Sequence, residues 1–165
     1  MTDIITHTLP TSFIFFLAVG IFVLVRSYKI RSTLLLLVPL IAMVQVFFLD
    51  FGNHYQLDVF GFPVELMRVD KLSKIFGLIF CLAAFLGNLY AWHVRDITQQ
   101  VATLLYVGSA IGAVFAGDLL ALFFYWEGTA IASVFLIWAR RTEGSFHTGM
   151  RYLIIQVGSG VILLA

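Results

Sequence analysis

Long apolar segments separated by short polar turns run through almost the whole 165-residue chain. Six such segments lie at about 9–25, 33–49, 72–92, 101–116, 118–139 and from 149 to the end. A helix rises ~1.5 Å per residue, so about 20 apolar residues cross the ~30 Å hydrocarbon core of a bilayer. The pattern therefore predicts an all-α polytopic membrane protein with about six transmembrane helices.

The loop between the second and third segments has a different periodicity. Residues 55–69 read YQLDVFGFPVELMRV and alternate apolar with polar positions around Gly61, Phe62 and Pro63. Alternation of period two about a Gly/Pro turn is typical of a β-hairpin. A two-stranded hairpin is only marginally stable alone, so we expect it to rest on a neighbouring subunit or on another loop at the outer surface.

Composition agrees with membrane insertion. The chain is 61% hydrophobic and 12% charged, with a mean hydropathy of +1.01, whereas a soluble domain carries ~25% charged residues. We therefore expect the lipid bilayer to be its surroundings. The net charge of +1 leaves no broad basic surface, which excludes nucleic acid as a partner.

The basic residues are distributed unevenly over the predicted turns. Seven of the ten lie after the first, third and fifth segments or at the start of the sixth: Arg26, Lys29, Arg31, Arg95, Arg140, Arg141 and Arg151. Basic loops stay in the cytoplasm. The sequence predicts a multi-pass protein of the cell inner (cytoplasmic) membrane with its N-terminus outside.

One carboxylate lies near the middle of the fifth segment, DLLALFFYWEGTAIASVFLIWA, at Glu127. A charge at mid-bilayer costs at least ~2.5 kcal/mol, and such residues usually handle ions or protons. The alternative is a permanently protonated glutamic acid that only hydrogen-bonds a neighbouring helix in a non-transporting scaffold or assembly subunit. Both interpretations are open at this point.

Other polar side chains accompany Glu127. Thr129 and Ser133 follow it on the same helix, and Gln156 lies at mid-depth in the sixth. With Glu127 they form either a broken proton-relay line completed by water or ordinary interhelical hydrogen bonds. Asp118 begins the fifth helix, where an acid is favourable, and proton entry there is a secondary interpretation. No basic residue falls at mid-depth beside Glu127.

Small residues concentrate in the last three segments. Gly108 and Gly112 form a GxxxG pattern, Gly128 recurs on the fifth helix, and Gly158 and Gly160 lie in the sixth. In lipid, small residues allow helix backbones to approach closely. We therefore expect close packing and the functional chemistry in the second half of the chain.

Cofactor and catalytic chemistry have little support in the sequence. His93 and His147 would make bis-histidine haem ligation conceivable in a redox subunit, but both lie at the membrane boundary rather than inside it. Neither metal-ligand spacing nor a nucleophile with a neighbouring base appears. We expect no cofactor, no metal and no catalytic residues.

The fifth helix and its flanks resemble a known family. GDLLALFFYWE at 117–127, AIAS at 130–133 and RYLIIQVGS at 151–159 resemble the antiporter-like subunits of respiratory complex I and of Mrp antiporters (NuoL, NuoM, NuoN, MrpA and MrpD). LMRVDKLS at 66–73 is similar to the family's outer segment before the third helix. The pair Trp126-Glu127 followed by GTAIAS looks most similar to the MrpD-like branch.

The resemblance implies the N-terminal portion of a fold with about fourteen helices and two inverted five-helix repeats. Residues 1–71 would hold peripheral helices one and two and the outer hairpin, 72–97 helix three, and 98–165 helices four to six, which start the first repeat. Its implied function is proton or monovalent cation translocation, in the D-type subunit of a Na⁺/H⁺ antiporter or in an NADH-quinone oxidoreductase membrane subunit. In the oxidoreductase the subunit would pump ions without catalytic chemistry of its own, so whether the chain belongs to an enzyme is open.

The resemblance also implies roles for two residues. The family's glutamate at the position of Glu127 pairs with a lysine on helix seven and carries protons. Arg151 would belong to a cytoplasmic access route or act as a positive-inside anchor. Because the sequence ends at Ala165 in the sixth segment, the chain is either a truncated or split gene product that another chain completes, or a degenerate subunit. We expect the former, with a second chain that supplies helix seven onward and with other membrane subunits of an Mrp- or complex I-type assembly.

Overall fold

A computed structural model describes residues 9–59 and 61–164. Its elements, in chain order, are α1 Thr11–Leu24, α2 Tyr28–Phe48, β1 Gly52–Val59, β2 Phe62–Val69, α3 Lys71–Tyr90, a 3-10 turn Ala91–His93, α4 Ile97–Phe115, α5 Leu119–Trp138 and α6 Glu143–Leu164. The predicted helical membrane protein with one β-hairpin is confirmed.

Four helices in the described ranges are long and apolar enough to cross a membrane: α2, α3 with its 3-10 turn, α4 and α5. The helix α1 has 14 residues, which corresponds to ~21 Å and is shorter than a hydrocarbon core. The helix α6 has 22 residues, but its first turns are polar. The chain is thus a multi-pass membrane protein. Four of its described helices are both long enough and apolar enough to span a membrane, whereas six spans were predicted.

Three predicted helix starts were wrong. The helices α2, α4 and α6 begin five, four and six residues before the predicted positions, at Tyr28, Ile97 and Glu143. Apolar patterning misses polar first turns, and a capping side chain precedes the first residue of α4 and of α6. Ser27, which precedes α2, forms no side-chain cap. The carboxylate of Asp96 accepts the N–H of Thr98 at 3.2 Å and so marks the start of α4.

The helix α6 begins after a reciprocal cap. Ser145 donates its N–H to the hydroxyl of Thr142, and Thr142 donates its N–H to the hydroxyl of Ser145, both at 3.1 Å. This arrangement is a capping box in which serine takes the usual place of glutamate.

The helix α4 lies at the centre of the fold. It packs against α1, α3 and α5. In addition, α6 packs against α5, and α2 packs against α3. The first helix was predicted to be peripheral, yet Phe15 and Phe22 of α1 are 0% and 1% exposed. A Cβ built on Gly108 would lie 2.8 Å from Cβ of Phe15, so the glycine lets α1 approach α4 closely. The predicted role of small residues in this packing is confirmed at that contact.

The β-hairpin is antiparallel, with Gln56 opposite Glu65. It rests on its own chain: Gly117, just before α5, donates its backbone N–H to the carbonyl of Glu65 at 2.9 Å. Val64 and Met67 of β2 are 2% and 1% exposed. Of the two supports that were predicted for the hairpin, the structure provides another loop.

A polar contact joins α2 and α3 inside the apolar region. Asn88 of α3 is buried, and its side-chain amide donates to the carbonyl of Leu35 at 2.9 Å. Leu35 lies in the same helix as Pro39.

Candidate intramembrane carboxylate site

Glu127 is the ninth of the 20 residues of α5, so its depth within the span is close to the predicted midpoint. Its side chain is half-buried. The oxygen Oε1 is fully buried and accepts no hydrogen bond from any residue in the ranges that the structure describes. The fold thus keeps one oxygen of a mid-span carboxyl group away from water without a described donor.

That oxygen occupies the space of a side chain that α6 lacks. A Cβ built on Gly160 would collide with Oε1 of Glu127 and would lie 3.2 Å from its Cδ. The same Cβ would approach Cε2 of Phe123 at 3.3 Å. The carboxyl group therefore lies directly against the backbone of α6 at Gly160.

The residue after Glu127 fits against α4 in a similar way. A Cβ on Gly128 would lie 2.6 Å from Oγ of Ser109, which is 4% exposed. The helix α5 therefore contacts α4 through Gly128 and Ser109, and it contacts α6 through Glu127 and Gly160. The sequence does not predict this contact of Ser109, because a single serine in an apolar helix does not show which face of the helix it lies on.

Two predicted companions of Glu127 use their hydroxyl groups within their own helix. Thr129 donates to the carbonyl of Trp126 at 2.6 Å, and Ser133 donates to the carbonyl of Ala130 at 2.7 Å. Serine and threonine commonly bond back to the preceding turn in this way. In the described structure neither hydroxyl is joined to Glu127.

Ser133 also connects α5 with α6. Its hydroxyl oxygen lies 3.1 Å from the hydroxyl oxygen of Tyr152. The hydroxyl of Ser133 is the donor in this contact too, so its single proton is directed either to Tyr152 or to the carbonyl of Ala130. The sequence gives no sign of this contact, because the two residues lie on different helices.

Arg151 and Gln156 lie on α6. Arg151 is exposed, and Gln156 is half-buried. The carbonyl of Gln156 accepts the hydroxyl of Ser159 at 2.8 Å. No described hydrogen bond joins either side chain to Glu127.

Asp118 is a capping residue of α5. Its Oδ1 accepts the N–H of Ala121 at 2.6 Å, and its Oδ2 accepts the N–H of Glu65 in β2. It lies nine residues before Glu127, or ~13 Å along the helix axis. Both oxygens are thus engaged by backbone groups at the end of the helix.

A cationic partner for Glu127 is absent from the described residues. The ion pair recorded there joins Arg141 with Asp96 at 3.4 Å, in the turns beyond the spans, and Arg141 is 76% exposed. Within the same ranges, no three His, Cys, Asp or Glu side chains are grouped as metal ligands.

Sequence comparisons relate part of the chain to known proteins. No family model matches the chain. It is 31% identical over 105 residues to the A1 subunit of the Na⁺/H⁺ antiporter of Staphylococcus haemolyticus, covering 59% of this chain and 13% of the relative. The same coverage holds for the putative antiporter subunit mnhA2 of Staphylococcus epidermidis, at 32% identity. A third relative, the A1 subunit from a Staphylococcus aureus strain, is 30% identical over 112 residues, which are 64% of this chain and 14% of the relative.

The resemblance to the antiporter-like subunit family is confirmed. The matches cover only about a seventh of each relative's length. These relatives are named as A-type subunits, whereas the sequence resemblance pointed to the MrpD-like branch. The MrpD-like assignment therefore stays a prediction.

Proposed function

We propose that this chain is part of a subunit that translocates protons in exchange for monovalent cations, and that Glu127 carries the proton inside the membrane. The observation that carries the proposal is the buried Oε1 of Glu127, which lies against Gly160 with no described hydrogen-bond donor. Burying a carboxyl oxygen without a partner is costly. Intramembrane carboxylates that bear such a cost usually mark an ion or proton path.

The rival role is a scaffold subunit in which Glu127 stays protonated and fastens two helices. Such a carboxyl group would form a hydrogen bond with the facing helix, as Asn88 does with Leu35. For Oε1 of Glu127 the described residues form no such bond, although the backbone of Gly160 lies directly against it. This difference favours a group that changes partners over one that holds a fixed contact.

The proposed proton path needs further components. A cation opposite Glu127 would have to come from outside the described residues, and the family resemblance implies a lysine on a further helix. Arg151 and Gln156 are secondary candidates on α6 for an access route completed by water, and Thr129, Ser133 and Asp118 are weaker ones. We also propose the MrpD-like branch, the inner membrane, and an N-terminus on its outer side.

The test is the substitution Glu127→Gln in the complete assembly, reconstituted in vesicles with a pH-sensitive dye inside. Glutamine keeps the size of the side chain and removes its titration. We expect cation-driven proton flux to fall by at least ~10-fold, whereas Glu127→Asp retains part of it. Wild-type flux in the Glu127→Gln assembly would rule out the carrier role.

Infrared difference spectra separate the scaffold role from transport. A carrier gives a carboxyl band that appears and disappears between acid and alkaline pH and is absent from Glu127→Gln. A permanently protonated scaffold residue gives a band that is constant across the same range.

A further inference from the structure

We propose that Gly160 is the positioning residue for Glu127: its missing side chain admits the carboxyl group between α5 and α6 and fixes its rotamer there. The inference deepens the proposed function, and its effect on transport rests on that function. The geometric part, which concerns where the carboxyl group lies, can be tested separately.

The first argument is the fit between the two residues. A methyl group at Gly160 would overlap Oε1 of Glu127 and crowd Cδ at 3.2 Å. Oε1 is buried although it has no described donor. No described hydrogen bond therefore holds Oε1, and the room that it occupies exists because residue 160 has no side chain.

The second argument is the contrast between the two glycines of α6 on either side of Ser159. Gly160 is buried, while Gly158, Ser159 and Val161 are exposed. A Cβ on Gly158 would meet no atom within 4 Å. The helix therefore turns one glycine towards Glu127 and the other away from the protein.

The consequence of a methyl group at 160 follows from side-chain rotamers. The χ1 and χ2 torsions of glutamate occupy staggered wells, whereas χ3 is broad, so a blocked carboxyl group either turns about χ3 or moves to another χ1 or χ2 well. Proton transfer depends on geometry, and a displacement of ~1 Å in a reacting group can cost up to ~100-fold in rate. Gly160→Ala should thus act on transport through Glu127.

The shorter acid provides a rescue. Aspartate lacks one methylene, which withdraws the carboxyl group by ~1.5 Å. In Glu127→Asp the overlap with the carboxyl group is therefore removed, and an alanine at 160 keeps only the 3.3 Å approach to Cε2 of Phe123. A helix that needs glycine at 160 for another reason would gain nothing from this change.

The experiment compares Gly160→Ala, the matched control Gly158→Ala, Glu127→Asp and the double variant Gly160→Ala/Glu127→Asp in the complete assembly. Both glycine substitutions favour the helix equally, so a difference between them reports the steric contact. We expect Gly158→Ala to equal wild type in flux and in the carboxyl band. Gly160→Ala should lower flux by ~10-fold or more and shift the band.

The double variant should transport no worse than Glu127→Asp alone. If Gly160→Ala does not assemble, recovery of assembly in the double variant supports the proposal equally. If neither assembles, glycine is required at 160 independently of Glu127, and the proposal is wrong.

Two further outcomes separate this inference from the proposed function. If Gly160→Ala matches Gly158→Ala in flux and band while Glu127→Gln blocks transport, the positioning role is overturned and the carrier role stands. If Glu127→Gln transports normally but Gly160→Ala alone shifts the band, the positioning is correct and the carrier role fails.

Discussion

Asn88 supplies Leu35 with a hydrogen bond that its own helix cannot form. The amide of Asn88 lies 2.9 Å from the carbonyl oxygen of Leu35, and Leu35 stands four residues before Pro39 in α2. In a regular helix this carbonyl would accept the N–H of residue 39, and proline has none. An unpaired carbonyl finds no water in a bilayer, so α3 satisfies a defect of α2.

We predict that Asn88→Leu destabilises the protein by ~1–2 kcal/mol, because it leaves the Leu35 carbonyl unpaired in addition to removing an interhelical bond. Unfolding in bicelles measures this cost. The matched background is Pro39→Ala, which restores the missing N–H, and there the cost should fall below ~0.6 kcal/mol, a typical interhelical bond in lipid. Equal costs in both backgrounds would contradict the compensation.

Asp118 ties β2 to α5, and this can be separated from its capping role. Asp118→Asn keeps Oδ1 for Ala121, but its amide nitrogen cannot accept the N–H of Glu65. Hydrogen bonds to charged groups contribute ~1.5–3 kcal/mol, so we expect faster hydrogen exchange at the amide of Glu65 and an unchanged first turn of α5. Asp118→Ala should also open that turn, at a further cost of ~0.5–2 kcal/mol. Protection of Glu65 at the wild-type level in Asp118→Asn would contradict this assignment.

Asp70 gives the start of α3 a pH dependence. Its carboxylate accepts the N–H of Ser73 at 2.7 Å, and this backbone hydrogen bond, above all, lowers the pKa of Asp70 below its usual 3.8. A lowered pKa means that the stabilisation is complete above pH ~4 and is lost as the pH falls through the lowered value. We expect the backbone amides in the first turn of α3 to keep their neutral-pH protection from hydrogen exchange down to pH ~4 and to lose it at lower pH.

The matched variant for this prediction is Asp70→Asn. Asparagine is also a good N-cap but does not titrate, so its first turn should show no such acid transition. If the two proteins lose protection at the same pH, the transition belongs to another group.

Gly112 receives the ring of Tyr125, because a Cβ at this position would overlap the ring carbon Cε1. Overpacking typically costs ~1–3 kcal/mol, and we predict a loss of this size for Gly112→Ala. The control is Gly87→Ala in α3, where a Cβ meets no atom within 4 Å and where alanine should be neutral or stabilising by up to ~1 kcal/mol. Thermal unfolding in detergent compares the two, and equal midpoints would show that the ring yields without cost.

The depth of Glu127 could be predicted from the sequence because depth in a span depends only on the number of residues from its end. The rotation of a helix is harder to predict, since apolar residues on all sides give no preferred face. Gly158 and Gly160 were therefore both noted as small residues, and only the structure distinguishes the one that contacts Glu127. Tyr152 escaped prediction for the same reason.

The misplaced starts of α4 and α6 have a local cause that could have been recognised. Asp96 and the pair Thr142 and Ser145 are capping residues in the sequence, but they precede polar first turns that hydropathy assigns to loops. The link between Asn88 and Leu35 was less accessible. Proline marks the unpaired carbonyl, whereas the identity of its donor depends on which helix packs beside α2.

The hairpin and the helix that carries Glu127 cannot be exchanged separately. Glu65 accepts the N–H of Gly117 with its carbonyl and donates its own N–H to Asp118. A hairpin taken from another subunit would therefore lack its matched acceptor at residue 118, and the capping residue of α5 would lose its bond to β2. Chimaeras with related subunits should therefore take residues 52–69 and 117–121 from the same parent. A graft that divides these two segments would disturb the entry of α5 even when every residue around Glu127 is native.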